Sequence, residues 1–153
     1  MNATTSQLAP TVYMFAQRLS STRRGARLAR LLAVEELRTW AVSPAVTERV
    51  EQVVAELAAN AALHGRVQGR DFRLTLTLGE ATGFVHIEAT DTRGERLPAL
   101  PPEPGPDDES GRGLLVVAAL ADCWAIEPYP PGGKAVWAEV SPGPGRTGLR
   151  SSP

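Results

Sequence analysis
Between Asp71 and Leu78 the chain alternates without a break. Phe72, Leu74, Leu76 and Leu78 fall on one side and Arg73, Thr75 and Thr77 on the other. A period of two with one polar side predicts a half-exposed antiparallel strand. After the turn Glu80-Ala81-Thr82-Gly83, Phe84 to Thr90 reads as its partner strand. Thr11 to Leu19 alternates loosely and reads as an edge strand. The period then changes. Arg23 to Trp40 sets Leu28, Leu31, Leu32 and Leu37 among charged residues, which predicts a helix. Ser43-Pro44 suits a cap followed by proline in the first turn, opening a helix that runs to about Leu63. Gly65 follows where a left-handed cap would end it.

The second half is punctuated differently. Leu97 to Ser110 holds five prolines and four acidic residues, so no regular element is expected there. Loops of that length inside a compact domain are usually functional or disordered. Gly113 to Leu120 reads as a helix. Cys123 to Pro128 and Lys134 to Val140 read as a hairpin around Pro130-Pro131-Gly132-Gly133. Only one strand face alternates to polar, so helices are expected on the other face alone, in a two-layer α+β sandwich. Residues 11–140 form the expected domain, with 1–10 and 141–153 as disordered tails.

Composition narrows the function. A chain of 153 residues suits one domain and one core. A net charge of −1 and a pI near 6.1 offer no basic footprint for nucleic acid. No apolar run is long enough for a bilayer, and the N-terminus lacks the pattern of a signal peptide, so a cytoplasmic location is expected. The single cysteine, Cys123, excludes an internal disulfide and a cysteine-based metal site, and its apolar surroundings suggest a buried packing residue.

Within the long helix, Glu56, Asn60 and His64 recur four residues apart and share one side. The apolar positions Val50, Val53, Val54, Leu57 and Ala61 cluster on a neighbouring stripe. A carboxylate and a carboxamide at the edge of a core are costly unless the fold or a ligand satisfies them. The run Glu56-Leu57-Ala58-Ala59-Asn60-Ala61-Ala62-Leu63-His64 resembles the N box E-L-x-x-N-A-x-x-H of the anti-sigma-factor serine kinases. These belong to the Bergerat-fold (GHKL) ATPases, with DNA gyrase, histidine kinases and heat-shock chaperones. Three further segments carry the resemblance. Asp91-Thr92-Arg93-Gly94-Glu95 stands where the first glycine box, D-x-G-x-G, would be, with Arg93 and Glu95 at the two glycine positions and Gly94 displaced by one. Gly111-Arg112-Gly113-Leu114 resembles the second box, G-x-G-L, which opens a helix. Gly132-Gly133-Lys134-Ala135-Val136-Trp137 resembles the closing strand, with Ala135 in place of the usual threonine.

The resemblance covers about residues 10–140. It implies the Bergerat ATP-binding fold, a mixed and mostly antiparallel sheet with helices on one face. It implies ATP and Mg²⁺ as cofactors and assigns the site. Asn60 would ligate Mg²⁺ through its amide oxygen, Asp91 would accept a hydrogen bond from the adenine amine, and Glu56 would orient or deprotonate the attacking hydroxyl. Gly94, Gly111, Arg112, Gly113, Leu114 and Lys134 would complete the nucleotide site, the glycines by close approach to phosphate and Arg112 by charge-assisted bonds. The segment Leu97–Ser110 would be the ATP lid. The hydroxyl missing at Ala135 would weaken base binding by about 0.5–1.5 kcal/mol. His64 suits a helix-end cap, with contact to lid or phosphates as the alternative. His86, beside Glu88 on the outward strand face, reads as solvated.

Three functions are compatible with these residues. The first is a serine/threonine kinase that phosphorylates an antagonist (anti-anti-sigma) protein in partner switching, with a sigma factor as a further partner. The second is a nucleotide-binding regulator that has lost transfer. The third, a histidine-kinase ATPase domain, ranks last because no phospho-accepting helix precedes the domain in this chain. The resemblance also implies a homodimer. Two surfaces offer docking: the strand face at Arg73, Thr75 and Thr77, and the helix Arg23–Trp40 with Arg23, Arg24, Arg27, Arg30 and Arg38.

Overall fold
The computed structural model describes residues 11–64, 71–91, 109–129 and 133–143. The element order is β1 (Val12–Ser20), α1 (Arg23–Thr39), α2 (Pro44–His64), β2 (Asp71–Gly79), β3 (Val85–Asp91), α3 (Glu109–Leu120), β4 (Cys123–Tyr129) and β5 (Gly133–Val140). The five strands form one sheet in the order β1-β2-β3-β5-β4, and each of its four ladders is antiparallel. The described helices pack on one face, in the expected two-layer α+β sandwich. The proposed tail 1–10, residues 144–153 of the proposed tail 141–153, most of the proposed lid and the turn at 130–132 lie outside the described residues.

The register confirms the alternation read from β2. Phe72, Leu74 and Leu76 are fully buried, opposite Asp91, Ala89 and Ile87 of β3. Onto this surface α2 lays Val46, Val50, Val53, Val54 and Leu57, all buried. Each such side chain contributes about 1.5–3 kcal/mol on leaving water, so this seam dominates the core. Caps fix the helix starts. The Thr22 hydroxyl accepts from the Gly25 amide at 3.0 Å, and the Ser43 hydroxyl accepts from the Val46 amide at 3.4 Å with Pro44 as the first helical residue. Arg49 of α2 ties three elements together. It donates to the Leu120 carbonyl at 2.9 Å and the Ser141 carbonyl at 3.0 Å, and its guanidinium lies 3.7 Å from Asp122.

The face α1 turns inward differs from its leucine pattern. Its buried residues are Gly25, Ala29, Ala33 and Leu37, whereas Leu28 and Leu31 are exposed. Small residues let α1 approach closely. A Cβ on Gly25 would run into the Ser20 carbonyl oxygen. Arg30, one of the arginines read as a docking residue, instead lies 3.7 Å from Glu51 of α2.

Two polar expectations are corrected on the other face of the sheet. Cys123 is exposed, and its thiol donates to Glu139 at 3.4 Å. Partial desolvation of the sulfur, reinforced by Glu139 and Asp122, pushes its pKa up to about 11. The apolar neighbours that suggested burial sit on an edge strand. His86 is half-buried and not simply solvated. Its ring lies 3.3 Å from Glu139 and 3.6 Å from Glu88, and stacks on Trp137 at 5.5 Å. Among the described residues no helix is long and apolar enough to cross a membrane.

The end of α1 stores strain. Ala41 has φ 57°, and the amides of Ala41 and Val42 bond back to the Arg38 and Leu37 carbonyls, each at 3.0 Å. This is a Schellman cap with alanine where glycine is favoured. Ala41→Gly is expected to stabilise the fold by about 0.5–1 kcal/mol, since relief of the left-handed penalty exceeds the extra entropy of glycine. A lower thermal unfolding midpoint for this variant would contradict that reading of the cap.

Candidate functional site
The helix period and the strand period meet at one cleft. Leu57, Asn60 and Ala61 of α2 face Ala89 and Asp91 of β3 and Lys134 and Val136 of β5, around about 230 Å³ of space open to solvent. Asp91 is the last residue of β3 and is buried. In register it stands opposite Lys134, on the helix-covered side of the sheet. Ala89 and Ala61 are the walls that reading the polar residues alone passed over. Their small side chains leave the opening. An alanine two residues before a strand-end aspartate, and another beside the helix asparagine, are the signal that could have found them.

Asn60 is the most informative side chain. It is 7% exposed, and its buried amide oxygen has no hydrogen-bond partner among the described residues. An unmet buried acceptor costs about 1–3 kcal/mol. Most buried polar groups are paired, so this oxygen is a candidate acceptor for a ligand to meet. A carboxamide oxygen is the hard donor that Mg²⁺ takes, and Mg²⁺ is commonly held by one or two protein ligands with phosphate oxygens and waters completing the shell. The residues present therefore suit a magnesium–nucleotide complex.

Glu56 lies one turn before Asn60 and is half-buried. It does not line the cleft floor. Its carboxylate sits against α3, so close that a Cβ on Gly113 would come within 2.7 Å of Glu56 Oε2. Gly113 itself is buried. The second glycine segment is thus a place where two helices meet at a carboxylate. It is also already helical. Gly111, Arg112 and Gly113 fall inside α3, which begins at Glu109, and not in a turn before it. Glycine costs about 1 kcal/mol in a helix interior, and packing against α2 overrides that propensity here.

Other expected residues separate from the cleft. Leu114 packs against the hydrophobic core. Ala135 stands opposite Thr90, one residue out of phase with Asp91 and Lys134, so it faces the other side of the sheet. A hydroxyl at that position would not enter this cleft, and the weaker base contact expected from its absence is withdrawn. Lys134 is in the cleft as expected. Gly133 makes this strand pair possible, because a Cβ there would collide with the Asp91 carbonyl. Gly94, and the side chains of His64 and Arg112, lie outside the described residues.

Comparison with known proteins agrees with this arrangement. Residues 19–140 match the model of the histidine kinase-like ATPase domain. No curated protein matches the chain. Among solved structures, the RsbU and RsbW domains of Rv1364c from Mycobacterium tuberculosis superpose with a TM-score of 0.64 at 20% identity, over 87% of this chain and 33% of that one. The likeness is one of fold, and this chain spans about a third of that chain's length. The family match, the antiparallel α+β sandwich and the cleft over Asn60 and Asp91 lead to one conclusion: the chain belongs to the histidine kinase-like ATPase domain family.

Proposed function
We infer that this chain binds ATP with Mg²⁺ and transfers the terminal phosphoryl group to a serine or threonine of an antagonist protein, regulating transcription by partner switching. The observation that carries the reading is the unmet, buried amide oxygen of Asn60 beside Asp91. Asn60 would hold the metal, and Asp91 would accept from the adenine amine. When bound, Mg²⁺ neutralises charge on the phosphates. The carboxylate of Glu56 orients the client hydroxyl and takes its proton at a carboxylate oxygen. Lys134 adds positive charge at the cleft wall. Asn60 and Asp91 are buried between the sheet and α2, where such interactions strengthen.

A second reading, a nucleotide-binding regulator without transfer, is favoured by one feature. Arg93 and Glu95 occupy the two glycine positions of the first box. The two readings part in a single-turnover assay with labelled ATP and an antagonist protein that carries an accessible serine. Wild type is expected to label the serine. Glu56→Ala is expected to bind ATP within about threefold of wild type but transfer at least about 100-fold more slowly, the scale of general base catalysis. ATP binding without labelling by wild type would establish the second reading. An equal loss of binding in Glu56→Ala would make this residue structural.

Gly113 allows a sharper test. Gly113→Ala brings a methyl group against Glu56 Oε2, and the carboxylate, at the end of a flexible side chain, gives way. Helix propensity favours alanine by about 1 kcal/mol. The variant is expected to be as stable as wild type or more so, with transfer slowed at least about tenfold, because a displaced base loses reach to the hydroxyl. Unchanged transfer would show that the contact does not set the position of Glu56.

A further inference from the structure
Where β3 stops and β5 starts, two successive ladder steps on the helix-covered side differ in character. Ala89 stands opposite Val136, and Asp91 stands opposite Lys134. All four residues line the cleft. Alanine and valine, with Leu57 of α2, give apolar walls that suit the faces of a flat ring. The charged pair closes one end of them. It sets an acceptor-only group beside a donor-only group, since an ionised carboxylate has no hydrogen to give and an ammonium has no lone pair. Residues directly opposed in an antiparallel ladder lie about 4.5–5.5 Å apart at Cα, so one small planar edge can meet both side chains. Adenine has such an edge. Its 6-amine donates, and the adjacent ring nitrogen N1 accepts. Asp91 can serve only the amine and Lys134 only N1.

Three features favour this edge over the phosphates as the target of Lys134. Gly133 draws β5 tightly against β3, because a Cβ there would collide with the Asp91 carbonyl, so the backbone beside Lys134 is held at Asp91. Asn60, the third polar residue lining the cleft, lies across from the strands on α2, and its amide oxygen suits the metal and phosphate end of the nucleotide. The third feature is strand phase. The ladder turns residue 135, where a hydroxyl was expected beside the base, to the other face of the sheet and turns Lys134 into the cleft. A donor to the base is therefore present one residue earlier, and it is a charged one, whose hydrogen bonds are about twice as strong as neutral ones. A cation at the opposing ladder position also lessens the cost of burying Asp91, which is 7% exposed.

We propose that Lys134 reads N1 of the adenine ring while Asp91 reads the 6-amine, so that the ends of β3 and β5 together select the base. This rests on the nucleotide binding inferred above and adds a specificity-determining residue to it. Calorimetric titration, in the presence of Mg²⁺, with ATP and with 1-deaza-ATP tests it. The analogue has a C–H in place of N1 and keeps the amine and the triphosphate. Wild type is expected to bind 1-deaza-ATP at least about tenfold more weakly than ATP, the scale of a hydrogen bond to a charged group. This comparison needs no variant to fold. Lys134→Met keeps an extended side chain without a donor. It is expected to bind ATP about tenfold more weakly than wild type, and to bind ATP and 1-deaza-ATP within about twofold of each other. Equal binding of the two nucleotides by wild type would overturn the proposal and leave nucleotide binding standing. An equal loss of both in Lys134→Met would place Lys134 on the phosphates, and a Lys134→Met that still prefers ATP by tenfold would place another donor at N1; either result also overturns it. A wild type that binds neither nucleotide would remove the proposed function along with this inference.

Discussion
The structure turns on how α2 must lie. Its valines and Leu57 recur at helical spacing, and only the inner face of the sheet can bury them. Once that seam closes, the residues on its border have no choice of environment. Asn60 enters the layer between helix and sheet and is 7% exposed, although nothing among the described residues bonds its oxygen. Glu56, a turn earlier, arrives against the first turns of α3. The hydrophobic seam therefore places the two polar groups, and its strength offsets what their desolvation costs.

The rest of the sandwich holds that seam in register. Arg49 links α2 to the end of α3 and to the chain after β5, which fixes α3 near Glu56. Gly113 lets the two helices meet at the carboxylate, and Gly133 lets β5 run close enough to β3 to bring Lys134 opposite Asp91. Both glycines serve close approach between backbones or helices. Their part in shaping the site is steric before it is chemical.

Much of this was legible in the residues. Strict alternation in β2, the Ser43-Pro44 cap and the long apolar stripe of α2 each follow a local rule, and each is met. The adverse cases share a cause. The leucines of α1 mark a helix but not its inner face, because pattern counts apolar residues, not close approach, and α1 packs through Gly25, Ala29, Ala33 and Leu37. The α3 helix reads from Gly113 because propensity is local, whereas packing on α2 carries it back to Glu109 and takes in Gly111. The face of Ala135 is set by strand phase relative to Asp91, which only the ladder between β3 and β5 determines. Cys123 lies on an edge, and edge position is a property of sheet order, not of neighbours in sequence. Of the residues around the cleft, Asn60, Asp91 and Lys134 were singled out in the sequence. The alanine walls were silent, since a small residue announces space only once its neighbours are placed.

The central claim is that the buried oxygen of Asn60 is kept for a bound metal–nucleotide complex at the expense of stability. Replacing it with leucine, similar in size, removes the unmet acceptor and leaves the apolar surroundings filled. Calorimetric titration of ATP with and without Mg²⁺, alongside thermal unfolding of the ligand-free proteins, measures both sides of the claim on wild type and Asn60→Leu. The account predicts that Mg²⁺ strengthens ATP binding to wild type, that this dependence disappears in Asn60→Leu, and that ligand-free Asn60→Leu unfolds at the same temperature or higher. Absence of ATP binding to wild type, or an Asn60→Leu protein that is less stable yet keeps its Mg²⁺-dependent binding, would contradict it.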